Sequence, residues 1–237
     1  MPMAGVWYVV TVEAADCRST NAHIRRQAYY NEQHKLLQIR GTDAAASSPL
    51  AEQVGRRNIQ THNLLAHIRY ATQGAVDHKN VHPFSRTLWG EEWSFGHNGD
   101  VPVIPSTRRG PFAPQGGTDS EAMFCTILNG LSERFGSEKP ASSAISSYLH
   151  ELCDQVVHMD RKGTILNFLL TCGPSQQWAY SWPGQRPGSK TWNGLHYSTS
   201  SNMCMFATKP VTDSSNWVEM EPHELIQVCH GVMQRVR

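Results

Sequence analysis

The sequence predicts a layered α+β fold with one core running through the chain. Three observations lead there. Strand-like segments come first, two amphipathic helical segments follow, and strand-like segments return after Gly163, an order that suits a sheet-and-helix sandwich. No internal repeat is found and nothing within 27–237 suggests a domain boundary, so that stretch is expected to be one domain. A hydrophobic fraction of 39% in 237 residues is enough for a proper core.

Taken in order, residues 5–12 are β-branched and aromatic and read as a buried strand. Residues 27–30 and 35–39 form a hairpin pattern around Asn31-Glu32-Gln33-His34. Ser48 followed by Pro49 marks a helix start over 48–57, with serine at the cap and proline in the first turn. Strands are expected at 63–70 and 93–97, the second ending in a turn at Asn98-Gly99. Four prolines and three glycines make 101–117 a loop. Asp119 or Ser120 then caps a helix whose apolar face carries Ala122, Phe124, Cys125, Ile127, Leu128 and Leu131. A second helix is expected over 142–159, where Ile145, Leu149, Leu152 and Val156 recur at helical spacing. Strands follow at 164–172, 177–182, 195–198, 203–207 and 225–229.

Composition excludes several functions. A net charge of +1, with basic residues clustered no more tightly than pairs such as Arg108-Arg109, removes the electrostatic footprint of a nucleic-acid binder. Charged residues make up 17%, against about 25% in ordinary soluble domains, so a disordered or supercharged binder is not expected. No apolar run approaches the roughly 20 residues of a membrane span, and no basic segment precedes the apolar start, so neither membrane nor secretion is expected. Six dispersed cysteines without a CxxC pair read as reduced thiols of a cytoplasmic protein.

The chemistry concentrates between His67 and Glu121. His67-Ile68-Arg69-Tyr70-Ala71-Thr72 leads to His82-Pro83-Phe84, then to Trp93-Ser94-Phe95-Gly96-His97-Asn98-Gly99, then to Gly117-Thr118-Asp119-Ser120-Glu121. Each piece has a bland reading. Asn98-Gly99 favours a hairpin turn, Arg69 a surface ion pair, Asp119 a helix cap, and His82-Pro83 a packed turn. As a set they supply a cation, an oxyanion-binding amide and a carboxylate, the groups needed to bind and cleave a zwitterionic amide.

This ordered set resembles the class II glutamine amidotransferases, whose glutaminase domains are N-terminal nucleophile hydrolases. Residues 28–38, 48–54, 89–99, 206–210 and 217–221 are similar to the short stand-alone subgroup related to ergothioneine-synthesis and glutathione-degradation amidohydrolases. The resemblance implies a four-layer αββα sandwich, no cofactor, and glutamine or a γ-glutamyl compound as the small molecule bound. It further implies that Arg69 holds the α-carboxylate, Asp119 takes the α-ammonium, and Thr72 lines the pocket. The Asn98 side chain and the Gly99 N–H would form the oxyanion hole, while His82 and His97 would be scaffold. No synthase domain follows, so an ammonia acceptor would sit on a partner protein, or the chain is a plain γ-glutamyl hydrolase.

One part of the pattern is missing. The family's nucleophile is an N-terminal cysteine whose free amine is its base, whereas this sequence begins Met1-Pro2-Met3. Cys17-Arg18 has the right residue pair, but nine residues then stand where the family has a longer glycine-rich segment, so Cys17 reads as a loop cysteine. Residues 1–26 are then either a genuine replacement, leaving an inactive chain with a γ-glutamyl pocket, or a gene-model or splice product of an active enzyme. Other chemistries fare worse. His78 and His82 have i,i+4 spacing but lack an HExxH and run into Pro83, so no metal site is expected. No GxSxG is present for a serine triad.

Overall fold

A computed structural model describes residues 9–12, 23–40, 61–70, 78–105, 110–186, 188, 190, 193–200, 203–212 and 216–236. Its strands are β1 (Val9–Val12), β2 (His23–Tyr30), β3 (Leu36–Arg40), β4 (Leu64–Tyr70), β5 (Phe84–Leu88), β6 (Glu91–Asp100), β7 (Ile165–Cys172), β8 (Gln176–Trp182), β9 (His196–Thr199), β10 (Cys204–Ala207), β11 (Val218–Glu219), β12 (Glu224–Cys229) and β13 (Val232–Val236). Helices α1 (Asp119–Phe135) and α2 (Ser142–Met159) separate β6 from β7. The predicted 48–57 helix and residues 5–8 lie outside the described residues.

The centre is a six-stranded antiparallel sheet in the order β13-β12-β8-β7-β6-β5. Every residue of β7 is buried, which explains its unbroken apolar run: both faces of the sheet are covered. Side chains alternate between those faces. Leu166, Phe168 and Leu170 join Trp93, Phe95, Trp178 and Tyr180 against the helices, which contribute Phe124, Ile127, Leu128, Leu149 and Val156. Phe95 stacks on Phe124 at 5.3 Å and Trp93 on Trp178 at 5.8 Å. Leu169, Ala179, Ile226 and Val228 face the other way, onto Leu65, Tyr197, Cys204 and Phe206 of the second sheet layer.

That second layer holds the sheet β1-β4-β2-β3, with β1 parallel to β4, and the small sheet β10-β9-β11, whose β10 lies beside β1. Gly96 sets how closely the layers approach. A Cβ there would stand 3.3 Å from Leu65 Cδ1 on β4. The result is an α+β sandwich in which β6 has α1 on one face, β4 on the other, and β5 and β7 at its edges.

Helix α2 spans the residues its apolar spacing predicts. Helix α1 corrects the predicted cap. Thr118 is the capping residue, its hydroxyl accepting from Glu121 N at 3.2 Å, and Asp119 and Ser120 are already helical. The hairpin around residues 31–34 forms as expected, with Lys35 N donating to Asn31 Oδ1 at 2.9 Å.

Candidate functional site

The site is built at the far end of β6. Asn98 and Gly99 are not a hairpin turn: β6 runs on through Asp100, pairing Asn98 with Asn167 and Gly99 with Leu166. A type I′ turn needs positive φ at both central residues, and Asn98 is not among the positive-φ residues. Asn98 is 5% exposed, and among the described residues its side-chain amide has no hydrogen-bond partner.

Beneath it a polar row crosses three strands in register. Asn167 Nδ2 donates to Asn98 O at 3.3 Å, and Ser181 Oγ donates to Asn167 Oδ1 at 3.2 Å. Asn167 and Ser181 are fully buried, so the row fixes the strand under Asn98 at the inter-sheet face. Gly99 is required by its neighbours. Its φ is +156°, and a Cβ would fall 1.9 Å from Ile165 O and 2.8 Å from His97 Nε2.

Asp119 arrives at the same place from α1. Its Oδ2 accepts from Val101 N at 2.8 Å, just past the end of β6, and its Oδ1 accepts from Ser120 N at 2.8 Å. Two backbone donors thus orient a half-buried carboxylate at the positive end of a helix, a favourable place for negative charge. His97, fully enclosed, bridges the pieces: Nδ1 lies 2.9 Å from Ser120 Oγ and Nε2 lies 3.2 Å from Ile165 O. Burial pushes the imidazole below its ordinary range, while the Asp119 carboxylate pulls the other way. A carbonyl only accepts, so the neutral ring carries its proton on Nε2, and Nδ1 accepts from the Ser120 hydroxyl.

The loop before α1 is tied down from below. Buried Glu121 takes Gly116 N at 2.7 Å and Arg86 Nη2 at 2.5 Å, and Asn80 Oδ1 accepts from Gly117 N at 3.1 Å. On β4, Arg69 is paired with Ile24, two residues past His67. The His67 ring packs 4.2 Å from that of His82, which meets Phe84 edge-on at 4.7 Å. The Arg69 side chain, Thr72 and Cys17 lie outside the described residues.

Of the predicted residues, Asn98 and Gly99 lie on β6 and Asp119 bonds to Val101 N, three residues past Asn98. Asn167 and Ser181 escaped the sequence reading, and Ser120 entered it only as a possible helix cap. A cavity of about 830 Å³ opens elsewhere, beside Lys35, Glu91, Glu92 and Lys139. It sits near the start of β6, seven residues or about 23 Å from Asn98, and none of the predicted residues lines it. Among the described residues no group of three or more His, Cys, Asp or Glu side chains could hold a metal ion. No described helix is long and apolar enough to cross a membrane.

Comparison with known proteins meets this geometry. The model of the class II glutamine amidotransferases matches residues 18–181, which include all of β6 and α1. The chain belongs to the class II glutamine amidotransferase family. It is 30% identical over 199 residues to the Escherichia coli protein named "Putative glutamine amidotransferase YafJ", covering 78% of this chain and 76% of that one. A Haemophilus influenzae protein named "Putative glutamine amidotransferase" is 38% identical over 135 residues, 57% of this chain and 44% of its own length. Two solved structures share the fold. The crystal structure of a predicted glutamine amidotransferase from Pseudomonas aeruginosa superposes with a TM-score of 0.64 at 22% identity, over 89% of this chain and 86% of that one. A class-II domain protein from Silicibacter pomeroyi gives 0.58 at 17% identity, over 91% and 97%.

Burial pushes the thiols of Cys125, Cys153, Cys172 and Cys204 above their ordinary range, so none of these is a ready thiolate. Cys172 is instead bonded at 3.2 Å to Glu91, near the opposite end of β6 from Asn98.

Proposed function

We propose that this chain binds glutamine or a γ-glutamyl compound at the Asn98 end of β6 and hydrolyses its γ-amide. Asp119 takes the α-ammonium, Arg69 the α-carboxylate, and Thr72 lines the pocket. A thiolate adds to the γ-carbonyl, and the oxyanion accepts from Asn98 Nδ2 and the Gly99 N–H. Ammonia or an amine then leaves, and water cleaves the thioester. The observation that carries this reading is the uncommitted, buried Asn98 amide on the strand whose end, at Val101 N, holds a carboxylate already oriented by two backbone donors.

The test is release of glutamate from glutamine and from γ-glutamyl peptides, with Asn98→Ala as control. An oxyanion donor is worth about 2.7–4 kcal/mol in the transition state, so that variant should lose roughly 10²–10³ in turnover. Turnover unchanged in Asn98→Ala would remove the oxyanion hole from this residue.

A second reading, a non-catalytic binding or regulatory subunit, is favoured by one observation. The four buried cysteines above are all held as thiols. It predicts that glutamine or glutathione raises the melting temperature without being consumed, and that Asp119→Ala or Arg69→Ala abolishes the shift. Intact mass and N-terminal sequencing of the protein made from its natural transcript separate the two readings, an amino-terminal cysteine favouring hydrolysis.

A further inference from the structure

Resting on that assignment of Asp119 and Gly99, we propose that His97 is a positioning residue that locks the ammonium-binding carboxylate to the oxyanion strand. The ring sits on β6 one residue before Asn98 and reaches two other elements. Through Ser120 Oγ at 2.9 Å it holds the first turn of α1, where the Ser120 N–H donates to Asp119 Oδ1 at 2.8 Å. Through Ile165 O at 3.2 Å it holds the carbonyl against which Gly99 packs without a Cβ. His97, Ser120 and Ile165 are all buried, so the contacts are sheltered from competing water. Asp119 closes the circuit by accepting from Val101 N at 2.8 Å, past the end of the same strand. The two halves of a zwitterionic-amide site, ammonium acceptor and oxyanion donor, are thereby set at a fixed separation by one neutral imidazole.

The two ring nitrogens do different jobs, so two conservative replacements divide them. An asparagine oxygen stands near Nδ1 and keeps the acceptor for Ser120; a glutamine amide reaches the Nε2 position and keeps the donor to Ile165. The readout is discrimination between L-glutamine and glutaramate, which is glutamine without its α-amino group, by titration calorimetry. Wild-type chain should prefer L-glutamine. Ser120→Ala and His97→Gln should weaken L-glutamine about tenfold, the scale of one impaired charge-assisted hydrogen bond, and leave glutaramate unchanged. His97→Asn should retain the preference.

A merely structural role would weaken both ligands together. Equal losses for both ligands, or no loss for either, in Ser120→Ala and His97→Gln overturn the proposal. Ser120→Ala, which removes one oxygen atom and with it the His97 bond and the 3.4 Å contact to Asp119 Oδ1, keeps the proposal refutable should the His97 variants fail to fold: no selective loss of L-glutamine in it overturns the proposal. Wild-type chain that binds neither ligand, or both alike, instead overturns the ammonium-site reading of Asp119, and the role of His97 goes with it.

Discussion

Replacing Gly99 by alanine puts the site's packing to a direct test. The new methyl carbon would lie 1.9 Å from Ile165 O and 2.7 Å from Ile165 C, where contacts under 3.0 Å are essentially never made. Relief therefore needs a shift of more than 1 Å, and the obstacle is the backbone of β7, held by ladders to β6 and β8 on both sides. Three costs add. Holding alanine at φ +156° costs about 1–3 kcal/mol, forcing a methyl into filled space costs about 1–3 kcal/mol, and loosening the His97–Ile165 bond costs about 0.5–1.5 kcal/mol. A total of about 2.5–7.5 kcal/mol lowers the melting temperature by roughly 5–30 °C for a chain of this size.

Two other glycines calibrate the measurement. Gly90 has φ +74° with nothing within 4 Å of a Cβ, so Gly90→Ala carries the backbone cost alone. Gly117 meets nothing within 4 Å and has no positive φ, so Gly117→Ala should be neutral or slightly stabilising. Thermal and urea unfolding followed by circular dichroism ranks the three. Gly99→Ala costing no more than Gly90→Ala would refute the close approach of β6 to Ile165.

Further outcomes are expected. Glu121→Ala leaves Arg86 facing an emptied buried site and should cost about 3–5 kcal/mol in urea unfolding, with Arg86→Met/Glu121→Leu recovering part of it; a fully additive cycle would contradict the pair. Stability should fall with acidity through His97. Its folded pKa is depressed, so below about pH 6.5 the unfolded chain takes up a proton that the folded chain refuses. The loss begins near the unfolded value and stops growing below the folded one, and His97→Gln should flatten that stretch of a stability-versus-pH curve. Mild alkylation at pH 8 followed by mass mapping should leave Cys125, Cys153, Cys172 and Cys204 unmodified in the native chain and label partly exposed Cys229; early labelling of any of the four would place it nearer the surface than its burial allows.

Much of the fold was legible where one face dominates. Ile145, Leu149, Leu152 and Val156 repeat every three or four residues, and α2 has the predicted ends. β5 was missed because Arg86 sits between Phe84 and Leu88 on their shared face, which interrupts the apolar alternation. β13 was missed because an exposed edge strand needs few apolar residues. Asn98-Gly99 misled as a turn for a physical reason: the dipeptide suits a hairpin, but the ladder to Asn167 and Leu166 carries β6 through it. In the candidate site, Asn98, Gly99 and Asp119 stood out in the sequence as a spaced set. Asn167 was not, because its role depends on a register with a strand 69 residues away. Ser120 hid behind Asp119, and its bond to His97 exists only once α1 is laid across β6.

The structural duty of Asp119 bears on how relatives should be compared. Its carboxylate receives the Val101 and Ser120 amides whether or not a small molecule ever arrives, so drift in a lineage that had abandoned chemistry would still be opposed at this position. Asn98 spends its side chain on no such upkeep among the described residues. Survival of the aspartate is therefore poor testimony to activity; under the proposed chemistry, the asparagine is the better witness when sorting working descendants from silent ones.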